Sequence, residues 1–113
     1  MPTKQTPLEH IAQQIKNNPV MIYMKGTPQL PQCGFSQRAA QVLIESGVSF
    51  AYVNVLQDTK ILSALLNYAN WPTFPQIYVD GELIGGCDVI LELQATGELQ
   101  PLLDAASNRK LSD

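Results

Sequence analysis

The amino-acid sequence predicts an α/β fold with a four-stranded mixed sheet, a parallel pair plus an antiparallel hairpin, covered by helices on both faces. Short apolar runs at 20–24 and 50–55 bracket a segment with helical periodicity, and strands joined by a helix pair in parallel. Later, the strand-like runs 76–79 and 82–84 flank an Asp-Gly pair, which is a typical two-residue hairpin turn. These two units together make the mixed sheet.

The first half of the chain is predicted to contain two helices around the first strand. Thr6 and Glu9 have the spacing of a capping box and enclose a proline at the first helical position. This amphipathic helix should end near Asn17, ahead of a proline. The second helix, over 36–46, should end before Gly47, because glycine is the usual residue beyond a helix C-terminus.

The helices of the second half have their own start and stop signals. Asp58 is expected to cap a third helix, which should end before Trp71-Pro72. Asp88 is expected to cap a fourth helix, which should stop at Gly97. The sequence thus places a helix on each side of the predicted hairpin.

Length and composition predict a single domain over residues 1–113. With 45% apolar residues, a chain of this size can bury a core without disulfides or structural metals. A last helix is expected over 99–106, followed by a frayed tail at 107–113.

Charge and cysteine usage limit the classes of function. The net charge is −3 and the 7 Lys and Arg residues are scattered, so we expect no nucleic-acid surface. No apolar run approaches the length of a membrane-spanning helix, and no charged-then-apolar leader opens the chain. Two well-separated cysteines predict a soluble protein of a reducing compartment. Because no transit-like segment is recognised, a bacterial cytoplasm is the expected location.

A polar, proline-containing loop that ends at Cys33 is the central candidate site. The loop follows the first strand and leads into the second helix, so Cys33 should lie at a helix N-terminus. Unpaired N–H groups and the helix dipole stabilise a thiolate there, and Lys25 can add positive charge. Cys33 is therefore a candidate nucleophile and metal ligand. The alternative is a cysteine that serves as a small buried hydrophobic residue.

Ser36 limits what that thiol can do. A cysteine at this position would make a Cys-x-x-Cys dithiol site, but serine cannot resolve a mixed disulfide. Cys33 must therefore complete its chemistry with an outside thiol, with Cys87, or with a metal. Because both residues flank one proposed site, we also expect Cys33 and Cys87 to be able to form a disulfide when nothing is bound there.

Two further segments can meet Cys33 at the carboxyl ends of the parallel strands, where open α/β sheets tend to bind ligands. Pro75 stands just before a strand and is a candidate cis-proline that would present the Thr73–Phe74 backbone to an extended peptide. The alternative is a rigid turn. Gly85-Gly86-Cys87-Asp88 enters a helix, where N–H groups can hold a carboxylate. The alternative is an ordinary glycine turn beside a packed Cys87.

Together these segments closely resemble the monothiol glutaredoxins of the CGFS class. The resemblance covers nearly the whole chain and implies the thioredoxin fold, with glutathione as the bound small molecule. It rests on the joint order and spacing of four motifs: Lys25, Cys33-Gly34-Phe35-Ser36, Trp71-Pro72-Thr73-Phe74-Pro75 and Gly85-Gly86-Cys87-Asp88.

The resemblance also implies where glutathione binds. The residue matching Lys25 faces the glutathione thiol and glycine-end carboxylate, and the segment matching Thr73–Pro75 pairs with the peptide backbone. The turn matching Cys87 and Asp88 takes the γ-glutamyl end. One departure is Leu62, which stands where many members of the class carry an arginine that grips the glycine-end carboxylate.

The resemblance further implies a [2Fe–2S] cluster bridged between two protomers. Such a cluster needs four thiolate ligands, and Cys33 and one glutathione from each protomer would supply them. The cluster-bound form would be a homodimer and the apo form a monomer. The leading hypothesis is a carrier that holds or transfers the cluster in iron–sulfur assembly and delivery. Its expected partners are cluster scaffolds, recipient apoproteins and a BolA-like protein.

Two alternatives stay open on the sequence. One is a glutathione-dependent thiol oxidoreductase that removes glutathione from mixed disulfides through Cys33, a chemistry that the long loop at 27–32, by resemblance, disfavours. The other is an adaptor that binds partners through the Cys33 face without iron. An intrachain zinc site is not expected, because two cysteines and one histidine do not supply four ligands.

Overall fold

The computed structural model describes residues 6–68 and 73–112, with side chains described up to residue 107. The described chain contains five helices and four strands. In chain order they are α1 (Pro7–Asn17), β1 (Val20–Met24), α2 (Gly34–Glu45), β2 (Ala51–Asn54), α3 (Thr59–Tyr68), β3 (Gln76–Val79), β4 (Glu82–Gly85), α4 (Cys87–Thr96) and α5 (Leu99–Ser112).

The four strands form one mixed sheet in the order β2-β1-β3-β4. Strand β1 pairs in parallel with β2, with Met21 opposite Ala51, as a helical crossover requires. Strand β3 is antiparallel both to β1 and to β4. The predicted sheet, a parallel pair plus an antiparallel hairpin, is confirmed.

Helices cover both faces of the sheet, as predicted. Successive strand residues point to opposite faces, so the strands contribute to two separate clusters of buried side chains. On one face, α1 and α3 and the strands beneath them share one cluster of buried side chains, which consists of Ile11, Ile15, Met21, Tyr23, Val55, Ile61, Leu65, Phe74 and Tyr78. On the other face, α2, α4 and α5 and the strands beneath them share a larger cluster, which includes Val20, Ile22, Met24, Leu43, Ile77, Ile90 and Leu103. We call these the α1/α3 cluster and the α2/α4/α5 cluster.

Two predicted helix caps are present as hydrogen bonds. The Glu9 N–H donates to Thr6 Oγ1 at 3.2 Å, and the Thr6 N–H donates to Glu9 Oε1 at 2.9 Å. At the start of α3 the Ile61 N–H donates to Asp58 Oδ1 at 3.1 Å. These bonds satisfy N–H groups that have no partner inside the helix.

The predicted hairpin turn is also present between β3 and β4. Asp80 and Gly81 have φ angles of 53° and 86°, the left-handed pair that a two-residue turn of this type needs. An Asp-Gly pair adopts that conformation readily because glycine has no Cβ.

The structure corrects three predicted boundaries. Helix α4 begins at Cys87 with Gly86 as its N-cap, so Asp88 lies in the first turn and is not the cap. Glycine caps helices nearly as well as serine or threonine, and Asp88 still faces the positive end of the helix dipole. Helix α2 begins at Gly34 rather than 36. Helix α5 continues to Ser112, beyond the predicted end at 106.

The predicted stop of α3 at residues 71–72 lies outside the described residues. Among the helices that are described, none is both long enough and apolar enough to cross a membrane.

Candidate functional site

A cleft of about 610 Å³ lies at the end of the sheet where β1 finishes and β3 begins. All seven candidate site residues predicted from the sequence line this cleft. The described lining consists of Lys25, Cys33, Phe35, Thr73, Phe74, Pro75, Gly86, Cys87, Asp88 and Val89. Three segments far apart in the chain therefore meet at one place because the sheet topology brings their ends together.

Cys33 is the N-cap residue of α2 and has an extended backbone. The backbone N–H of Ser36 lowers the pKa of the Cys33 thiol most, followed by the N–H of Phe35 and the Ser36 hydroxyl. The positive charge of Lys25 makes the smallest contribution, while partial burial acts in the opposite direction. The predicted thiolate-stabilising position is thus present, and backbone N–H groups dominate the effect on the pKa.

Ser36 has a second role that sequence reasoning missed. Its side chain is fully buried, and its Oγ accepts a hydrogen bond from the Lys25 N–H at 3.1 Å. The same hydroxyl lowers the pKa of the Cys33 thiol, so Ser36 acts both on the backbone that follows β1 and on the thiol. A serine at this position therefore does more than remove a second cysteine.

The loop between β1 and Cys33 is closed by its own backbone hydrogen bonds. Thr27 and Leu30 exchange N–H to carbonyl bonds of 3.2 and 3.1 Å, and the Gln32 N–H donates to the Lys25 carbonyl at 2.9 Å. Gly26 has a φ of +94°, and a Cβ there would stand 2.5 Å from the Gln32 nitrogen. Only glycine fits where the backbone at Gly26 passes this close to the backbone at 30–32, which we call the crossing. This close approach fixes the path of the chain towards Cys33.

Asn54 anchors the same loop from the neighbouring strand. Its Oδ1 accepts from the Gly26 N–H at 2.9 Å and from the Leu56 N–H at 3.0 Å. Asn54 lies 28 residues from Gly26 along the chain, and no local pattern links the two residues. Sequence reasoning therefore missed this contact, since only the parallel pairing of β1 and β2 creates it.

The loop that ends at Cys33 forms the first wall of the cleft, and the second wall contains the predicted cis-proline. The Phe74–Pro75 peptide bond is cis, and the segment leads directly into β3. The Phe74 side chain packs into the α1/α3 cluster, while Thr73 is exposed at the rim. The sheet core thereby holds this backbone edge beside Cys33.

The third wall is the start of α4. Cys87 is 6% exposed and belongs to the α2/α4/α5 cluster. Burial raises the pKa of its thiol, and the Asp88 carboxylate raises it further. Both Cys33 and Cys87 are free thiols in the structure. The site therefore combines one thiol with a lowered pKa and one with a raised pKa.

Leu62 does not contribute to the described lining of the cleft. It packs against the α1/α3 cluster as a partly buried side chain, so Lys25 is the basic residue among the described lining residues. Within the described part of the chain, no group of three or more His, Cys, Asp or Glu residues could hold a metal ion.

Comparisons with known proteins agree with this geometry. The Glutaredoxin family model matches residues 20–84. The chain is 51% identical to Glutaredoxin 4 of Escherichia coli (strain K12) over 108 residues, which is 96% of this chain and 94% of that protein.

Solved structures give the same result. The solution structure of reduced poplar apo GrxS14 has a TM-score of 0.74 and 41% identity, covering 86% of this chain and 89% of its own. A buckwheat glutaredoxin–glutathione complex has a TM-score of 0.80 and 26% identity, covering 93% of this chain and 96% of its own. The chain therefore belongs to the glutaredoxin family.

Proposed function

We propose that this glutaredoxin binds glutathione in the cleft and holds or transfers a [2Fe–2S] cluster bridged between two protomers, in iron–sulfur cluster assembly and delivery. The observation that carries the proposal is the position of Cys33, whose pKa is lowered at the mouth of the cleft. It acts as a monothiol of the CGFS class, because Ser36 occupies the second position of the motif.

The cleft suits an extended tripeptide with two carboxylates and one thiol. Lys25 can meet one carboxylate, and the backbone edge at Thr73–Pro75 can pair with the peptide. The N–H groups at the start of α4, at Cys87 and Asp88, can take the other carboxylate. In support, a buckwheat glutaredoxin of the same fold was solved as a glutathione complex.

The donor set favours a cluster that is shared between chains. A [2Fe–2S] cluster takes four thiolate-type ligands, and the described residues of one chain contain no group of three or more candidate ligands. Cys33 and one glutathione thiol from each of two protomers would supply all four. The cluster is then cargo, and we propose scaffold proteins, recipient apoproteins and a BolA-like protein as partners. Two free thiols suit a cytoplasmic location.

Anaerobic reconstitution with iron, sulfide and glutathione tests this function. We expect a coloured dimer with about one iron and one glutathione per chain, measured by absorption, metal analysis and light scattering. Cys33→Ser should remain a colourless monomer, whereas Cys87→Ser should load normally. A Cys33→Ser protein that still carries the cluster would show that the ligand assignment is wrong.

The lowered pKa of Cys33 also favours a second function, glutathione-dependent thiol oxidoreductase activity. The Cys33 thiolate would attack the glutathione sulfur of a mixed disulfide, forming a Cys33–glutathione disulfide and releasing the other thiolate. A second glutathione would then reduce Cys33 and leave as glutathione disulfide. A colourless monomer that removes glutathione from a glutathionylated peptide, and loses this activity in Cys33→Ser, would favour this function over the carrier.

A further inference from the structure

A fully buried amide side chain lies directly behind the second wall of the cleft. Gln76 is 0% exposed, although it follows immediately after Pro75. Its Nε2 donates to the Thr73 carbonyl over a long 3.4 Å, and its Oε1 accepts from the Tyr78 hydroxyl at 3.1 Å. Burial of an amide is costly unless such bonds are made. The hydrogen bonds to Thr73 and Tyr78 therefore help to keep the Gln76 amide buried at this position.

The two residues that make this contact sit on the rigid centre of the sheet. Gln76 and Tyr78 lie two residues apart on β3, and strand geometry puts such residues on one face. Their strand is hydrogen-bonded on both sides, with Gln76 opposite Tyr23 of β1. Thr73, by contrast, is exposed at the rim. The bonds of Gln76 therefore connect an exposed stretch of backbone to one of the two central strands of the sheet.

We propose that Gln76, held in place by Tyr78, is a positioning residue for the ligand-binding edge of the cleft. It fixes the Thr73 carbonyl and with it the Thr73–Pro75 backbone on which an extended peptide docks. The proposal rests on the proposed binding of glutathione. Without this contact the edge would have to be ordered during binding, and that ordering would lower the affinity.

Tyr23 provides a matched control within the same cluster. Its ring contacts the Tyr78 ring edge-on, with ring centroids 5.7 Å apart. Its hydroxyl, however, donates to Gln14 Oε1 on α1 at 2.7 Å, on a helix that does not line the cleft. Tyr23→Phe and Tyr78→Phe thus each remove one buried hydroxyl and keep the ring, but only the second loosens Gln76.

Amide chemical-shift titration of the apoprotein with reduced glutathione tests the proposal. Gln76→Met should raise the dissociation constant about fivefold or more, and Tyr78→Phe about threefold, as expected when buried hydrogen bonds are lost. Tyr23→Phe should stay within about twofold of the parent protein, even though all three variants melt earlier. If Gln76→Met does not fold, the comparison of the two tyrosine variants decides the question.

Two results would overturn the positioning role. One is parent affinity in folded Tyr78→Phe or Gln76→Met; the other is an equal loss of affinity in Tyr23→Phe, which would indicate general destabilisation. Absence of glutathione binding by the parent protein would instead overturn the proposed function. In that case the carbonyl chemical shift of Thr73 still tests Gln76, because it should move in Gln76→Met and remain unchanged in Tyr23→Phe.

Discussion

The Cys33 thiol owes its lowered pKa mainly to the peptide backbone. The N–H groups of Ser36 and Phe35 lie at the start of α2 beside the thiol and lower its pKa most, and the charge of Lys25 contributes least. Salt screens a distant charge far more than it screens a hydrogen bond. The reactivity of Cys33 is therefore built into the start of α2 and should change little with ionic strength.

The two cysteines should react with alkylating reagents in a fixed order. Near neutral pH, iodoacetamide should modify Cys33 at least about tenfold faster than Cys87, since the thiolate is the nucleophile and the two pKa values are shifted in opposite directions. Peptide mapping after timed quenching measures both rates.

The pH dependence of that order follows from the signs of the shifts. Cys33 should lose reactivity as the pH falls through its lowered pKa, and selectivity should decline as the pH rises through the raised pKa of Cys87. The folded state favours the Cys33 thiolate, so this contribution to the free energy of unfolding is present above the ordinary thiol pKa and is lost below the lowered one. Equal rates near neutral pH would contradict the assignment.

Ser36→Ala should raise the pKa of Cys33. The substitution removes both the hydroxyl that lowers this pKa and the acceptor of the Lys25 N–H. The thiolate absorbance near the ultraviolet edge, followed against pH, measures the change directly. Ser63→Ala, on the exposed surface of α3, is the control. An unchanged Cys33 pKa in Ser36→Ala would show that the hydroxyl does not stabilise the thiolate.

The apoprotein should form an internal disulfide between Cys33 and Cys87 on oxidation. Both thiols are free and both line one cleft. Treatment with glutathione disulfide should first add glutathione to Cys33, after which the Cys87 thiolate displaces it as reduced glutathione. Intact-mass analysis should show the loss of two hydrogens in the parent protein, and stable glutathionylation in Cys87→Ser. Two free thiols after treatment of the parent protein would refute the pairing.

At the scale of single elements, the loop between Gly26 and Gln32 depends on one glycine. Gly26→Ala should lower the free energy of unfolding by about 2–4 kcal/mol, because the new Cβ would meet backbone atoms at a positive φ. Chemical denaturation measures this loss. Gly34→Ala is the control, since a Cβ there meets nothing within 4 Å, and it should change stability by less than about 0.5 kcal/mol. Equal stability of the two variants would contradict the described crossing.

The sequence predicted those elements whose signals are local. The capping pair Thr6 and Glu9 and the turn at Asp80 act within four residues, so their chemistry is visible in the chain itself. The prediction that Asp88 caps α4 was wrong because it also relied on a local signal. A carboxylate is a strong cap signal, whereas Gly86, which caps the helix without a side chain, gives a weaker one.

Contacts that depend on distant strands were beyond sequence reasoning. Asn54 meets Gly26 only because β1 and β2 are adjacent in parallel, and Ser36 meets the Lys25 N–H across the entire loop. Gln76 was predicted only as the first residue of the strand-like run 76–79. Residue types indicated which groups could do chemistry at the site, whereas the hydrogen bonds that hold them needed the tertiary structure.

At the scale of the whole molecule, the two clusters share one sheet and should unfold together. Leu65 in the α1/α3 cluster and Leu103 in the α2/α4/α5 cluster are both 0% exposed. Replacement of either by alanine should cost about 2–5 kcal/mol, a large part of the stability of an ordinary domain. Calorimetry should still show one transition.

Leu66→Ala tests whether burial is the cause of that loss. Leu66 neighbours Leu65 on α3 but is 38% exposed, so its replacement should have a much smaller effect on the melting temperature. Separate transitions in the Leu65→Ala or Leu103→Ala variant would mean that the two faces of the sheet are independent units.

The cleft exists only in the fully assembled chain, because its three walls come from the ends of β1, β3 and β4 with their adjoining loops. An unfolded chain offers a ligand no such site. Any molecule that binds there therefore stabilises the whole domain by linkage, by about 2.7 kcal/mol at one hundred times its dissociation constant. Proteases act on transiently opened chains, so ligand supply would set the lifetime of this protein without any change in its sequence.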